Sequence, residues 1–236
     1  MRTTQADHYG LKYHLKRRLL PSGKSARTIQ SGFLAGVTMN LDFAYHTQVW
    51  LGLYERELNG WLRRLSSNIR SGIDVGAGDG MYTLYFLAKT PAQKVLSFEP
   101  DGSRMKQVRE NLSLNRLEND PRLELTSQGV GAVSDGQAVT LDSCLSRIEF
   151  PCLVKVDIDG GEVALLEGAG QLLASRAVRW VIEVHSPALQ ERCLQLLRSA
   201  NYEATVVRNA WWRNLLPDLR PGDLNQWVVA TPAERA

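Results

Sequence analysis

The chain has 236 residues, 44% of them hydrophobic and 22% charged, with 19 glycines and 9 prolines and a formal net charge of +3. That composition is ordinary for a globular protein and excludes collagen-like, coiled-coil and wholly disordered classes; the length suits one or two domains with a sizeable core. No run of about 18 apolar residues occurs, so no membrane span is expected. The N-terminus lacks an apolar signal core, making cytoplasmic residence the default expectation. Three cysteines, Cys144, Cys152 and Cys193, show no CxxC spacing and are read as free thiols, with neither a disulfide framework nor a zinc site.

Charge is unevenly spread. Residues 1–30 carry seven Lys/Arg against Asp7, giving +6, so the remaining 206 residues sum to −3. This stretch, closed by Pro21-Ser22-Gly23, is expected to be a loosely docked basic extension, a type of arm that can attract phosphates or nucleic acid. From His46 to Leu65, Val49, Trp50, Leu53, Tyr54, Leu58, Trp61, Leu62 and Leu65 recur at helical spacing, predicting one helix packed on the main domain. The expected division is an extension with a capping helix over 1–66 and a main domain over 67–236.

Beyond Arg70, short apolar runs alternate with helical stretches. The predicted strands are Gly72–Val75, Lys94–Phe98, Leu123–Thr126, Leu153–Val156, Val178–Val184, Glu203–Val207 and Trp227–Ala230. Between them fall helices near Met81–Ala88, Gly102–Leu114, Gly161–Leu173 and Ala188–Ala200. This alternation indicates an α/β doubly wound, mainly parallel seven-stranded sheet. No helix separates the last two strands, so the C-terminal strand is expected antiparallel. Their connection, Arg208–Gln226, holds Trp211, Trp212, Pro217, Pro221 and Gly222, and its length suits a lid over a pocket.

The strongest local signal is Ile73-Asp74-Val75-Gly76-Ala77-Gly78-Asp79-Gly80, three alternate glycines where a strand turns into a helix. Glycine permits positive φ and close approach of a ligand to backbone, and the helix start adds its positive dipole end. The G-x-G-x-G spacing departs from the dinucleotide G-x-G-x-x-G and suits S-adenosylmethionine better, with a nicotinamide nucleotide second. Glu99-Pro100 ends the next strand, 19 residues after Gly80, where a carboxylate can accept both ribose hydroxyls.

The segments IDVGAGDGMYTLYFL, VLSFEPDGSRMKQVRENLSLN, LVKVDIDGGEVALLEGA and VIEVHS together resemble the FkbM-type methyltransferases, over roughly residues 54–230. The most specific parts are Phe98-Glu99-Pro100 with Asn111 and Asn115, and the run Lys155–Glu162. Departures are Gly78-Asp79, where the family usually has Asn and an apolar residue, and Asp159 and Gly161, where Glu and Ala are common. The resemblance implies a class I Rossmann-like fold and methyl transfer from S-adenosylmethionine, leaving S-adenosylhomocysteine, typically to a hydroxyl of a small molecule, sugar or glycan/lipid precursor. It places Asp74, Gly76, Ala77, Gly78 and Gly80 against the methionine and ribose parts of the cofactor. Glu99 and Pro100 fall at the ribose, and the stretch with Gln128 and Gly129 at the adenine end. Glu55 falls where the family often has an acid ahead of the loop.

An alcohol needs help losing its proton as the methyl transfers. The candidates are the polar groups at the carboxyl ends of central strands, where doubly wound sheets bind ligands: Asp157, Asp159, Glu183 and His185. His185 titrates near neutrality and can take the proton, or Asp157, Glu183 and His185 can gather a divalent cation. Glu162 and Glu167 are expected in the first turns of the next helix, stabilising its dipole. The Asp157-Ile158-Asp159-Gly160 turn lacks the prolines common in methylases of exocyclic base nitrogens, which lowers a nucleobase reading. An RNA methyltransferase using the basic arm and a cofactor-binding scaffold without turnover are the alternatives.

Overall fold

The computed structural model describes residues 23–214 and 226–234. Its centre is a seven-stranded sheet of β3 (Ser71–Val75), β4 (Lys94–Phe98), β5 (Leu123–Thr126), β8 (Cys152–Val156), β9 (Val178–Val184), β10 (Tyr202–Val207) and β11 (Gln226–Pro232), in the order β10-β11-β9-β8-β3-β4-β5. β3, β4, β5, β8 and β9 pair in parallel, and β11 runs antiparallel to both β9 and β10. The expected mainly parallel sheet with one antiparallel C-terminal strand is what forms.

Strand alternation divides the core between two faces. Ile73, Val75, Leu96, Phe98, Val154, Val156 and Ile182 point to one face. There they meet Leu165 and Leu166 of α5 (Glu162–Glu167), Leu172 of α6 (Gly170–Ser175) and Leu197 of α7 (Pro187–Ser199). Val95, Leu153, Val181, Trp227 and Val229 point the other way, against Leu84 and Phe86 of α3 (Met81–Lys89) and Leu112 of α4 (Gly102–Leu114). Each such fully buried side chain contributes about 1.5–3 kcal/mol, so both faces are anchored strongly. Gly72 lets α3 sit close to the sheet, since a Cβ there would lie 2.4 Å from the Phe86 ring.

Two expectations about the N-terminal third are corrected. Residues 24–28 form β1 (Lys24–Thr28), paired antiparallel with β2 (Thr38–Asp42). This hairpin docks Met39 and Leu41 in the same core as Leu84 and Leu112. The rest of the basic extension, residues 1–22, lies outside the described residues. The predicted single helix over 46–65 is two: α1 (Phe43–Leu51) and α2 (Asn59–Leu65), separated by a 3-10 turn at Arg56–Leu58. Gly52 causes the break: its φ is +71°, and a Cβ would fall 2.1 Å from the Ser31 carbonyl oxygen. The helical stripe persists across the break because Val49, Leu58, Leu62 and Leu65 all reach one core.

The predicted helix over 161–173 is likewise split, into α5 and α6. At Gly168 the backbone of Gly131 passes so close that a Cβ would lie 2.1 Å from its carbonyl oxygen. Two further short strands, β6 (Gly129–Val130) and β7 (Ala138–Val139), pair in parallel beyond β5. After β10, the turn at Trp211–Asn214 is tied back by Arg213, whose Nε and Nη2 donate to Glu57 at 2.7 and 2.9 Å. Residues 215–225 of the expected lid, with Pro217, Pro221 and Gly222, lie outside the described residues, as does the Trp212 side chain. Trp211 is exposed. Among the described residues no helix is long and apolar enough to cross a membrane.

Candidate functional site

The carboxyl ends of β3, β4, β8 and β9 bring the predicted site residues to one edge of the sheet. Gly76 and Ala77, leaving β3, both donate their N–H to the Phe98 carbonyl at 3.0 Å, which fastens the glycine loop to the end of β4. Gly76 adopts φ +80°, and a Cβ on it would lie 2.0 Å from the Asp157 carbonyl oxygen. Only glycine lets the ends of β3 and β8 approach so closely. Gly78 (φ +57°) faces open space, with no atom within 4 Å of where a Cβ would project, leaving its backbone accessible to a ligand. Gly80 caps α3 in the left-handed region.

Glu99 is buried, and its two oxygens already organise backbone: Oε2 accepts from Gly78 N at 2.7 Å and Oε1 from Asp101 N at 2.9 Å. Each carboxylate oxygen retains acceptor capacity for one further donor. Pro100 is exposed beside it, and Asp101 caps α4 by accepting from Ser103 and Arg104 N–H groups. The Glu99 N–H donates to the Thr126 carbonyl, so the stretch Ser127-Gln128-Gly129 departs from the neighbouring strand end. Gln128 and Gly129 are half-buried, bonded to the Gln137–Gly136 turn.

Beneath the glycine loop lies a buried polar row. Asp74 on β3 is in register with Ser97 on β4 and Lys155 on β8, and Thr83 of α3 bonds to both Asp74 and Ser97 at 2.7 Å. Burial pushes the Asp74 carboxyl up to about 6, against the pull of Thr83 and Lys155. Lys155 is fully buried, 3.6 Å from Glu183 and 3.8 Å from Asp157, with its ammonium 4.8 Å from the centre of the Tyr82 ring. Burial alone would favour the neutral amine. Asp157, Glu55, Glu183 and Asp74 outweigh that and hold its pKa above the ordinary lysine value. Tyr82 in turn donates its hydroxyl to Glu55. For Glu183 the carboxylate neighbours act in the opposite sense: burial, then Glu55 and Asp157, push it up to about 8. Trp227 Nε1 donates to the same carboxyl at 3.3 Å.

His185 completes the edge. Its Nδ1 meets Glu162 Oε1 at 2.7 Å, and its Nε2 faces Asp157 Oδ1 at 3.6 Å and Asp159 Oδ1 at 3.4 Å. The bond to Glu162 is the leading cause of a raised histidine pKa. Glu162 does begin α5 as predicted, but it is wholly buried and holds the His185 ring. Glu167 lies at the end of that helix, 3.8 Å from Arg192.

The structure therefore gathers Asp157, Asp159, Glu183 and His185 at one place, with Asp74, Gly76 and Gly78 alongside and Glu99 touching the loop. Sequence reasoning gave no role to Lys155, Tyr82, Thr83, Ser97 or Trp227. A lysine in the middle of an otherwise apolar strand, Cys152–Val156, was the available signal, because a charge there must be paired. Glu55 enters through a feature the sequence does not display, a left-handed backbone (φ 47°) that turns it inward to 1% exposure.

Residues 133–204 match the model of the methyltransferase FkbM domain, a span holding the Lys155–Glu162 run, Glu183 and His185 but not the glycine loop. Among solved structures, a methyltransferase FkbM from Methylobacillus flagellatus superposes with a TM-score of 0.58 at 18% identity, over 75% of this chain and 46% of that one. This chain thus spans less than half of that protein's length. An rRNA methylase from Streptococcus thermophilus (TM-score 0.50, 15% identity, 76% and 98% covered) is also similar in fold. So is a ribosomal protein L11 methylase from Lactobacillus delbrueckii subsp. bulgaricus (0.50, 14%, 76% and 78%). No curated protein matches the chain in sequence. The fold is that of the class I methyltransferases, and the resemblance to the FkbM type is borne out.

Proposed function

We propose that this chain, whose fold and domain signature are those of FkbM-type methyltransferases, moves a methyl group from S-adenosylmethionine to a hydroxyl of a small molecule or carbohydrate-like acceptor. The observation that carries the reading is the meeting, at one sheet edge, of a ligand-accessible glycine loop pinned by Glu99 with the Asp157–His185 pair. The open space at Gly78 and the spare acceptor capacity of Glu99 fit an adenosyl ligand: Glu99 would accept from its ribose hydroxyls, with the methionine portion lying against the glycine loop. When bound, that ligand supplies an electrophilic methyl group, so the chain's own task is alignment and handling of the acceptor's proton.

His185 suits that task geometrically. Nδ1 meets the buried Glu162, and Nε2 lies beside Asp157 and Asp159 at the strand ends, so the ring is fixed where it can exchange a proton with an acceptor. Lys155 is a positioning charge: it keeps Asp157 and Glu183 in place while itself remaining protonated. Labelled S-adenosylmethionine incubated with the protein and a host extract, then fractionated into small molecules, glycan-lipids, RNA and protein, tests the reading. Label in the small-molecule or glycan-lipid fraction is expected, reduced about 10²–10⁴-fold by His185→Ala with cofactor affinity kept. Label confined to RNA would transfer the role to an RNA methylase. Binding without label in any fraction would favour a scaffold.

A further inference from the structure

We propose that Trp211 is the surface on which the acceptor stacks, taking the apolar face of a hydroxylated ring such as a sugar, and that Glu57 and Arg213 hold it in place. The inference rests on the function proposed above and narrows its acceptor to a ring-bearing carbohydrate. Sheet register sets the geometry. β9 and β10 both run antiparallel to β11, so they end at the same edge; Val207 pairs with Trp227, which pairs with Glu183. Asp157 and Gly76 continue that row one residue beyond β8 and β3. Neighbouring strands lie about 4.8 Å apart, so Glu183 is about 10 Å from the end of β10 and about as far from the glycine loop. With the cofactor at the glycine loop, the acceptor has to reach Asp157 and His185 from the β10 side, where the chain after Val207 emerges. The acidic groups there supply no metal to grip it. The Lys155 ammonium already lies 3.6 Å from Glu183 and 3.8 Å from Asp157, so their grouping with His185 does not fit the divalent cation that the sequence allowed.

Trp211 follows Val207 by four residues and is 76% exposed, the most of any large apolar side chain among the described residues. Its backbone, by contrast, is firmly held. Glu57 accepts from Ala210 N at 2.9 Å and from Arg213 Nε and Nη2 at 2.7 and 2.9 Å, gripping the turn on both sides of Trp211. The Arg213 N–H donates to the Ala210 carbonyl at 3.0 Å and closes the turn. The Arg213 and Glu57 side chains are only 9% and 8% exposed. An ion pair buried to that degree gains little over its desolvation penalty, so its use here is to fix a geometry. On the inner side, the Arg213 guanidinium lies 5.7 Å from the centre of the Trp227 ring, and Trp227 Nε1 donates to Glu183 at 3.3 Å. The turn is thereby tied to the acidic edge while its outer indole stays bare. An indole face carries negative charge density and packs against the apolar, slightly positive C–H groups of a sugar face, leaving the ring hydroxyls free at its rim. Held on a fixed turn, such a ring loses little conformational freedom when the acceptor binds.

Methyl transfer from labelled S-adenosylmethionine, measured against increasing amounts of the small-molecule and glycan-lipid fractions of host extract, tests the stacking. In Trp211→Ala the amount of fraction that gives half-maximal labelling should rise about ten-fold, with the maximal rate kept within about two-fold, as expected when only uniform binding is lost. Trp211→Phe should restore most of the native behaviour. Arg213→Met should raise the half-maximal amount too, without adding to the effect of Trp211→Ala in the double variant. Calorimetric affinity for S-adenosylmethionine should stay native in Trp211→Ala. Native half-saturation in Trp211→Ala, or a loss that Trp211→Phe does not restore, overturns the inference and leaves the transferase reading standing. No label from either fraction with the native chain defeats the transferase reading and this inference with it.

Discussion

Removing the Lys155 ammonium would leave the buried carboxyls of Asp74, Glu55 and Glu183 facing one another, with the half-buried Asp157 beside them. Breaking a buried ion network by deleting one partner typically costs about 3–5 kcal/mol, and Lys155→Met should lose that much in urea unfolding. Adding Asp157→Asn to that variant should recover part of the loss; unchanged stability in Lys155→Met would refute the charge balance described. Asp74 gives the pH dependence. Its carboxyl, ordinarily near 3.8, is raised to about 6 by burial. Between those values the folded chain holds a proton that the unfolded chain releases, so this group's contribution to stability is full below about 4 and is lost as pH rises through 6. The shift corresponds to about 3 kcal/mol. Asp74→Asn should therefore gain by about that amount relative to the native chain between pH 3.5 and 7.5, in cofactor-free unfolding curves. A difference that stays flat with pH would mean that Asp74 is not perturbed.

At the scale of elements, Asn111 is the joint between α4, the hairpin and the glycine loop. Its Oδ1 accepts from Asn40 N at 2.8 Å and its Nδ2 donates to the Asp79 carbonyl at 2.8 Å. Asn115 repeats the clamp one turn later, on both the N–H and the carbonyl of Thr38. Asn111→Ala leaves a buried donor and acceptor unmet, at about 1–3 kcal/mol. Faster amide exchange at Asn40 and in the Gly76–Gly80 loop is the expected result; exchange altered nowhere beyond α4 would deny the joint. The sequence displayed Asn111 and Asn115 as part of a motif, and the structure supplies their mechanical sense. The sheet strands were legible because each is a short apolar run with nothing else to be. The hairpin was not: Lys24-Ser25-Ala26-Arg27-Thr28 buries only alternate positions halfway, and its partner's apolar residues are just Met39 and Leu41. The helix breaks at Gly52 and Gly168 escaped notice for a related reason. Each is dictated by backbone from a distant segment, Ser31 and Gly131, which no local periodicity encodes.

Over the whole molecule, the parallel strands carry an apolar face on each side, and one of those faces turns polar toward the strand ends, where Asp74, Ser97, Lys155 and Glu183 replace aliphatic side chains. That substitution marks the site more clearly than any hollow. The surface depressions beside Lys106 and Arg109 and beside Arg176 and Arg179 are lined by none of these residues. Asp157, Glu183 and His185 were readable as strand-end polar residues, because the order of strands alone brings their ends together. The inner half of the site was less readable. Lys155 is inward only through the register of β8 with β3, and Glu55 reaches it from outside the sheet altogether.

The central claim is that the glycine loop and Glu99 bind S-adenosylmethionine, and calorimetric titration of the cofactor into the full chain and into Glu99→Ala tests it most directly. The account predicts one saturable site in the native chain. In the variant, loss of charge-assisted bonds worth about 1.5–3 kcal/mol each should weaken that site at least ten-fold. No binding to the native chain, or equal affinity in Glu99→Ala, would contradict it.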